Sequence, residues 1–157
     1  MTIRIAVPLT VYYDASCPLC RSEIETLKAR DANDALRVVD CSSPAFDGRA
    51  EASEGVTRAD MMARIHARDA AGRWLRGMDV FAAVYDAAGL RLLARIYASR
   101  ILRPAFDRLY PWVADHRQLL SRAGLWRAFA WIAPRQAASC RACSSIDSAK
   151  MPPIENR

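Results

Sequence analysis

Cys17-Pro18-Leu19-Cys20 places two thiols three residues apart, directly after Tyr12-Tyr13-Asp14-Ala15-Ser16. A pair at that spacing can close a small disulfide ring and exchange two electrons with another disulfide. If the pair opens a helix, the N-terminus adds positive potential and free backbone N–H groups, and both stabilise a thiolate. Cys17, at or just before the first helical turn, is then the expected nucleophile and the better exposed thiol. Cys20, one turn further in, is the expected resolving thiol and the more buried of the two. Asp14 lies three residues before Cys17. A carboxylate there either raises the thiol pKa by repulsion or moves protons during exchange. As a turn residue or N-cap it would need no chemical role.

A second pair, Cys140-Arg141-Ala142-Cys143, lies near the other end of the chain. Three readings stay open for it. It could be a second redox pair on a flexible tail, passing electrons to or from Cys17 and Cys20, with Arg135 and Arg141 favouring thiolate. The four thiols could instead bind one zinc, although the gap from Cys20 to Cys140 far exceeds zinc-ribbon spacing. Or it is a labile surface feature. The fifth cysteine, Cys41, follows a short strand pattern. It is either a spare resolving thiol on the active edge or a small buried apolar residue.

The elements that must hold Cys17 and Cys20 are legible around them. Ile3 to Tyr13 carries Ile5, Val7, Leu9, Val11, Tyr12 and Tyr13, the content of a buried strand, with Pro8 making its first half irregular. Arg21 to Arg30 sets Ile24 and Leu27 on one face and predicts an amphipathic helix. Pro18 suits its first turn, where a missing N–H is not felt. Leu36 to Val39 is a second strand. A strand, a CxxC at a helix start, a helix and a strand form the setting of a thioredoxin-like redox centre.

Further along, Asp40 to Glu54 predicts a loop with room for one helical turn. Met62 to Arg68 and Arg73 to Leu75 predict a hairpin around Ala70-Ala71-Gly72. Met78 to Ala88 predicts a helix stopped at Gly89. Helices follow over Leu90 to Leu102, Ala105 to Leu120 and Leu125 to Ala133. The expected fold class is α/β, a βαβ–ββα core with a helical C-terminal extension. The expected divisions are residues 1–90 for the redox core, 91–135 for a helical extension of the same domain, and 136–157 for a tail carrying the second pair.

Seven basic and ten acidic residues fall in 1–60, against sixteen and seven in 61–157, so the overall charge of +6 belongs to the second part. A solvated arginine face is the simpler reading of that excess, and no nucleic-acid partner is expected. Arginines alternate with Tyr97, Phe106, Tyr110, Trp112, Trp126, Phe129 and Trp131. Such aromatics are expected to be the core of a helical layer, while peripheral contact with a membrane surface stays open. There is no apolar run of spanning length. The N-terminus lacks a signal-peptide pattern, so a cytoplasmic protein with a resting dithiol is expected. His66 is expected to be structural, and His116 has no evident partner. No Gly-rich phosphate loop, paired carboxylates or Ser/His/Asp arrangement can be argued.

Tyr13-Asp14-x-x-Cys17-x-x-Cys20 resembles the signature of the DCC-type thiol-disulfide oxidoreductases, named for that aspartate and two cysteines. Ile65 to Arg73, followed by Gly77-Met78-Asp79-Val80-Phe81, is similar to that family's hairpin and its ending. Tyr110-Pro111-Trp112-Val113-Ala114-Asp115-His116-Arg117 is similar to its closing helix. The resemblance covers roughly residues 5 to 120 and implies a thioredoxin-like fold with thiol-disulfide exchange activity. It departs at Ala15, often glycine, at Asp79-Val80 in place of Asp-Ala, and at His116 in place of asparagine. Thioredoxin-like proteins also commonly carry a cis-proline before the third strand, and Val56 to Met61 contains no proline.

These readings converge on a thiol-disulfide oxidoreductase of the protein-disulfide reductase type. Its catalytic residues are Cys17, Cys20 and Asp14, with no cofactor and no metal. Its partners are a disulfide-containing substrate and a thiol or other electron donor. The alternative is a zinc-binding or interaction module built on both cysteine pairs and a basic helical face.

Overall fold

The apolar alternation of the first strand decides how the sheet is covered. In the computed structural model, which describes residues 5–124, strand β1 runs Leu9–Tyr13. Leu9, Val11 and Tyr13 enter one core cluster with Ile24, Leu27, Leu36, Val80 and Val84. Tyr12 points the other way and packs with Cys41, Val56 and Met61. That is the two-residue period of a strand buried on both faces. The irregular first half expected from Pro8 is present, and the strand starts at the next residue.

Helix α1 (Pro18–Ala29) leads from β1 to β2 (Leu36–Asp40), which pairs with β1 in parallel. The sheet order is β2-β1-β3-β4, with β3 (His66–Arg68) and β4 (Trp74–Arg76) added antiparallel. A mixed four-stranded sheet in βαβ–ββα order is consistent with a thioredoxin-like fold, as expected. The β3–β4 turn is built on Asp69, whose Oδ1 accepts from the N–H groups of Ala71 and Arg73 at 3.0 and 2.9 Å.

The expected strand over Met62 to Arg68 is wrong in its first half. After the short helix α2 (Arg49–Ser53), helix α3 occupies Arg58–Ala63. A capping box starts α3. Thr57 Oγ1 accepts from the Asp60 N–H at 3.2 Å, and Asp60 Oδ2 accepts from the Thr57 N–H at 2.9 Å. These local bonds satisfy donors that a strand would have left open. Arg58 then donates to the carbonyls of Cys41, Ser42, Ser43 and Phe46 and fixes the loop after β2.

Helix α4 (Met78–Ala87) packs on β1 and is followed by α5 (Arg91–Tyr97) and α6 (Arg103–Arg122). Helix α5 stops well short of the expected Leu102. Ile101 and Leu102 are exposed, so no core rewards extending the helix past Tyr97. Pro104 sits in the first turn of α6, where its missing N–H is harmless. Phe81, Tyr85, Tyr97, Phe106 and Tyr110 form a chain of ring contacts with centroids 5.1 to 5.8 Å apart. These rings are the core of the helical layer, as expected, whereas Trp112 lies half exposed. Gly77, before α4, has φ +56° and faces the Tyr110 ring, 3.4 Å from where a Cβ would stand. That approach seats α6 against the core. Trp126, Phe129, Trp131 and the expected helix over 125–133 lie outside the described residues.

Candidate functional site

Three chain segments meet at the C-terminal edge of β1: the turn into α1, the turn after β2, and the last half of α6. Asp40 joins the two turns, its Oδ1 accepting from the N–H groups of Ala15 and Ser42 at 3.2 and 2.8 Å. Asp14 is buried. Its Oδ1 accepts from the Ser16 N–H at 3.0 Å and from the Ser16 hydroxyl, a turn closed by its own first residue. Its Oδ2 accepts from Arg117 Nη2 at 3.0 Å. Arg117 also donates to the carbonyls of Met62 and Ala63, so one guanidinium ties α6 to the redox turn and to the end of α3.

Cys17 is the N-cap of α1 in extended conformation, with Pro18 in the first turn. Its Sγ accepts from the Cys20 thiol at 2.9 Å and from the Cys20 backbone N–H at 3.4 Å. Both are free thiols, at a separation well above the ~2.05 Å of a disulfide bond. The hydroxyl of Ser121 lies 3.7 Å from Cys17 Sγ and accepts from the Leu19 N–H at 3.4 Å. The Cys20 thiol hydrogen bond is the main force lowering the Cys17 pKa to about 6, and burial works against it. The Cys20 N–H, the Ser121 hydroxyl and the Leu19 N–H contribute in the same direction as the Cys20 thiol. Cys20 is pushed up, because it is the donor to Cys17 and is desolvated. The geometry thus sets the Cys20 thiol to donate to Cys17 and favours the thiolate form at Cys17.

The expected exposures are reversed. Cys17 is fully buried and Cys20 is half-buried. The reason is α6, whose Ser121 lies over Cys17, and nothing in the local sequence of α1 announces that cover. Cys41 is fully buried too. Its backbone N–H bonds Tyr13 O at 2.9 Å, on the same sheet edge as the redox turn. Its thiol, however, faces the second cluster, 3.6 Å from Met61 Sδ. Burial pushes that thiol up to about 12. The small apolar reading is therefore the one its surroundings support.

His66 is buried in β3, with Nδ1 2.8 Å from Arg64 O, and desolvation lowers its pKa. His116 stacks on Trp112 with centroids 4.8 Å apart. Among the described residues, no three metal-ligating side chains converge. Cys140 and Cys143 lie outside the described residues, and with them the shuttle and zinc readings.

Sequence reasoning missed Ser121 and Glu23 and quoted Arg117 only as part of a pattern. Beside Cys20 opens a mainly apolar cavity of about 100 Å³, lined by residues including Met61, Ile65 and Phe81, and it also exposes Cys20 and Glu23. Glu23 Oε1 accepts from the Tyr85 hydroxyl at 2.9 Å. A signal for Glu23 existed: at three residues after Cys20 and one before Ile24, it stands on the inward face of α1.

The profile of the DCC1-like thiol-disulfide oxidoreductase family matches residues 11–123. An uncharacterized chloroplastic protein of Arabidopsis thaliana is 31% identical over 110 residues, covering 69% of this chain and 50% of that protein. The chain spans about half the length of that curated relative. No solved structure matches it significantly.

Proposed function

The chain belongs to the DCC1-like thiol-disulfide oxidoreductase family, and from that membership we propose that it cycles Cys17 and Cys20 between dithiol and disulfide to reduce disulfides, as a protein-disulfide reductase does. One observation carries the reading: Cys17 stands at the N-cap of α1 with the Cys20 thiol donating to its Sγ from 2.9 Å, an arrangement that favours a thiolate.

In the proposed cycle the Cys17 thiolate attacks a substrate disulfide, forming a mixed disulfide and releasing the first thiolate. Cys20 then attacks Cys17 Sγ, releasing the second thiolate and leaving Cys17–Cys20 oxidised. A thiol or other electron donor restores the dithiol. Asp14 serves this cycle by holding the Ser16 turn and Arg117 in place. We take residues 1–90 as the redox core and 91–135 as its helical extension, in which Ser121 of α6 lies over Cys17. We place the protein in the cytoplasm, where a resting dithiol is maintained. Among the described residues, no helix is long and apolar enough to cross a membrane.

The test is thiol trapping with peptide mapping after equilibration across glutathione redox buffers. Cys17 and Cys20 should become protected together in one two-electron step, and Cys17→Ser should abolish disulfide reduction. Full trapping of both thiols throughout the series, or undiminished activity in Cys17→Ser, sinks the reading. The same maps report whether Cys140 and Cys143 oxidise at a linked midpoint, as a shuttle requires.

A further inference from the structure

On α1 the residues Cys20, Glu23, Ile24 and Leu27 follow the spacing of one helical face. Ile24 and Leu27 are core, so Glu23 is a carboxylate on an inward surface. It shares the cavity wall with Cys20, and Tyr85 from α4 fixes its orientation. The cavity, at about 100 Å³, exceeds the roughly 10–15 Å³ that one water needs. With Cys20 and Glu23 both on its wall, the cavity has room for one water to carry a proton between them.

We propose that Glu23 is the proton acceptor for Cys20 during resolution of the mixed disulfide, a role that rests on the dithiol cycle proposed above. The Cys20 thiol gives its proton to the Glu23 carboxylate. The resulting thiolate forms the bond to Cys17 Sγ, and the bond from Cys17 to the substrate sulfur breaks. The electron pair leaves with the substrate thiolate, and Glu23 later returns its proton to solvent.

The other groups around this space are already committed. Tyr13, at the end of β1, Tyr85, Tyr97 from α5, and Tyr110 from α6 are all shifted upward by burial and stay protonated. Asp14 and Arg117 are paired with each other at 3.0 Å. Arg64, before β3, pairs with Asp115 at 3.5 Å. Among the described residues lining the cavity, that leaves Glu23 as the available base. Desolvation lifts it to about 7, so near neutral pH it can both take and return a proton.

The experiment is a single turnover of the reduced full chain with an aromatic disulfide whose leaving thiolate is coloured. The first phase reports attack by Cys17 and the second reports resolution by Cys20. In Glu23→Gln the first phase should hold, while the second slows about 100-fold at neutral pH and recovers in alkali, where hydroxide replaces the base. Tyr85→Phe removes the donor that stabilises the Glu23 carboxylate, so the pH midpoint of its second phase should move upward. An unaltered second phase in Glu23→Gln, or equal slowing of both phases, overturns the proposal. So does an unmoved midpoint in Tyr85→Phe. Absence of any first phase in the unsubstituted protein would instead overturn the dithiol cycle and this role with it.

Discussion

Cys17 and Cys41 follow neighbouring parallel strands, on one sheet edge, and both are fully buried. Yet one thiol is drawn down to about 6 and the other is pushed up to about 12. Burial is common to both, so burial does not decide reactivity here. The difference is the donor count. Cys17 faces a thiol, backbone N–H groups at a helix N-terminus and a hydroxyl, whereas Cys41 faces Met61 and apolar side chains. A buried anion survives only where donors replace the water it has lost.

The widest break between the two sites should appear in alkylation of the reduced protein. At neutral pH most of Cys17 is thiolate and almost none of Cys41 is. Even after allowing for the lower nucleophilicity of an acidic thiol, Cys17 should react on the order of 100-fold faster. Its rate should rise with pH through a midpoint of about 6, read by mass spectrometry of modified peptides. Comparable labelling of Cys41 would remove the contrast. Stability should follow the same titration. The unfolded thiol keeps its proton up to its ordinary 9, while the folded one has lost it above about 6. Stability from Cys17 therefore grows as pH rises between those values and is lost as pH falls through the lower one. Glu23 acts oppositely between its ordinary 4.5 and about 7, so the comparison with Cys17→Ser is cleanest in denaturant melts above neutral pH.

Next in size is the clamp that sets Cys17 apart. Arg117→Gln removes the ion pair to Asp14 and the bonds to Met62 O and Ala63 O, and leaves Asp14 buried without its cation. The cost should be about 3 kcal/mol in denaturant unfolding of the reduced protein. It should also release α6 from the redox turn, so Cys17 becomes easier to trap while its pKa rises. A loss of stability with no change at Cys17 would separate the clamp from the thiol.

How far these differences were legible in the sequence depends on how local their cause is. The strand, the place of Cys17 at the helix start, Pro18 in the first turn and the face of α1 are set by residues within a few positions of one another, and each stands where expected, although the N-cap is Cys17 and not Asp14. The start of α3 was equally local, in Thr57 and Asp60, but the apolar alternation of Met62 to Arg68 masked it. The cover over Cys17 was not legible, because Ser121 lies 104 residues away and reaches Sγ only through the packing of α6 on α1 and α4. A serine in a polar helical stretch carries no mark of that contact. Glu23 lay between these cases, since its inward face could be read but its partner Tyr85 could not.

Ser121 offers the finest adjustment of the contrast. Ser121→Ala takes away one hydroxyl from Cys17 and keeps the thiol of Cys20 and the helix N-terminus. The Cys17 midpoint should rise by about one pH unit, the scale of one hydrogen bond to a charged group. Ultraviolet absorbance of the thiolate reads this directly, and an unmoved midpoint would assign all the activation to α1. At the far end, Cys41→Ala should cost about 1 kcal/mol for the lost contact with Met61 and leave disulfide exchange within about twofold. The pairing of a packing cost with intact exchange is the outcome that matters. If exchange fell instead, the shared sheet edge would be joining the two thiols chemically, and the donors around Cys17 would no longer suffice to explain which cysteine reacts.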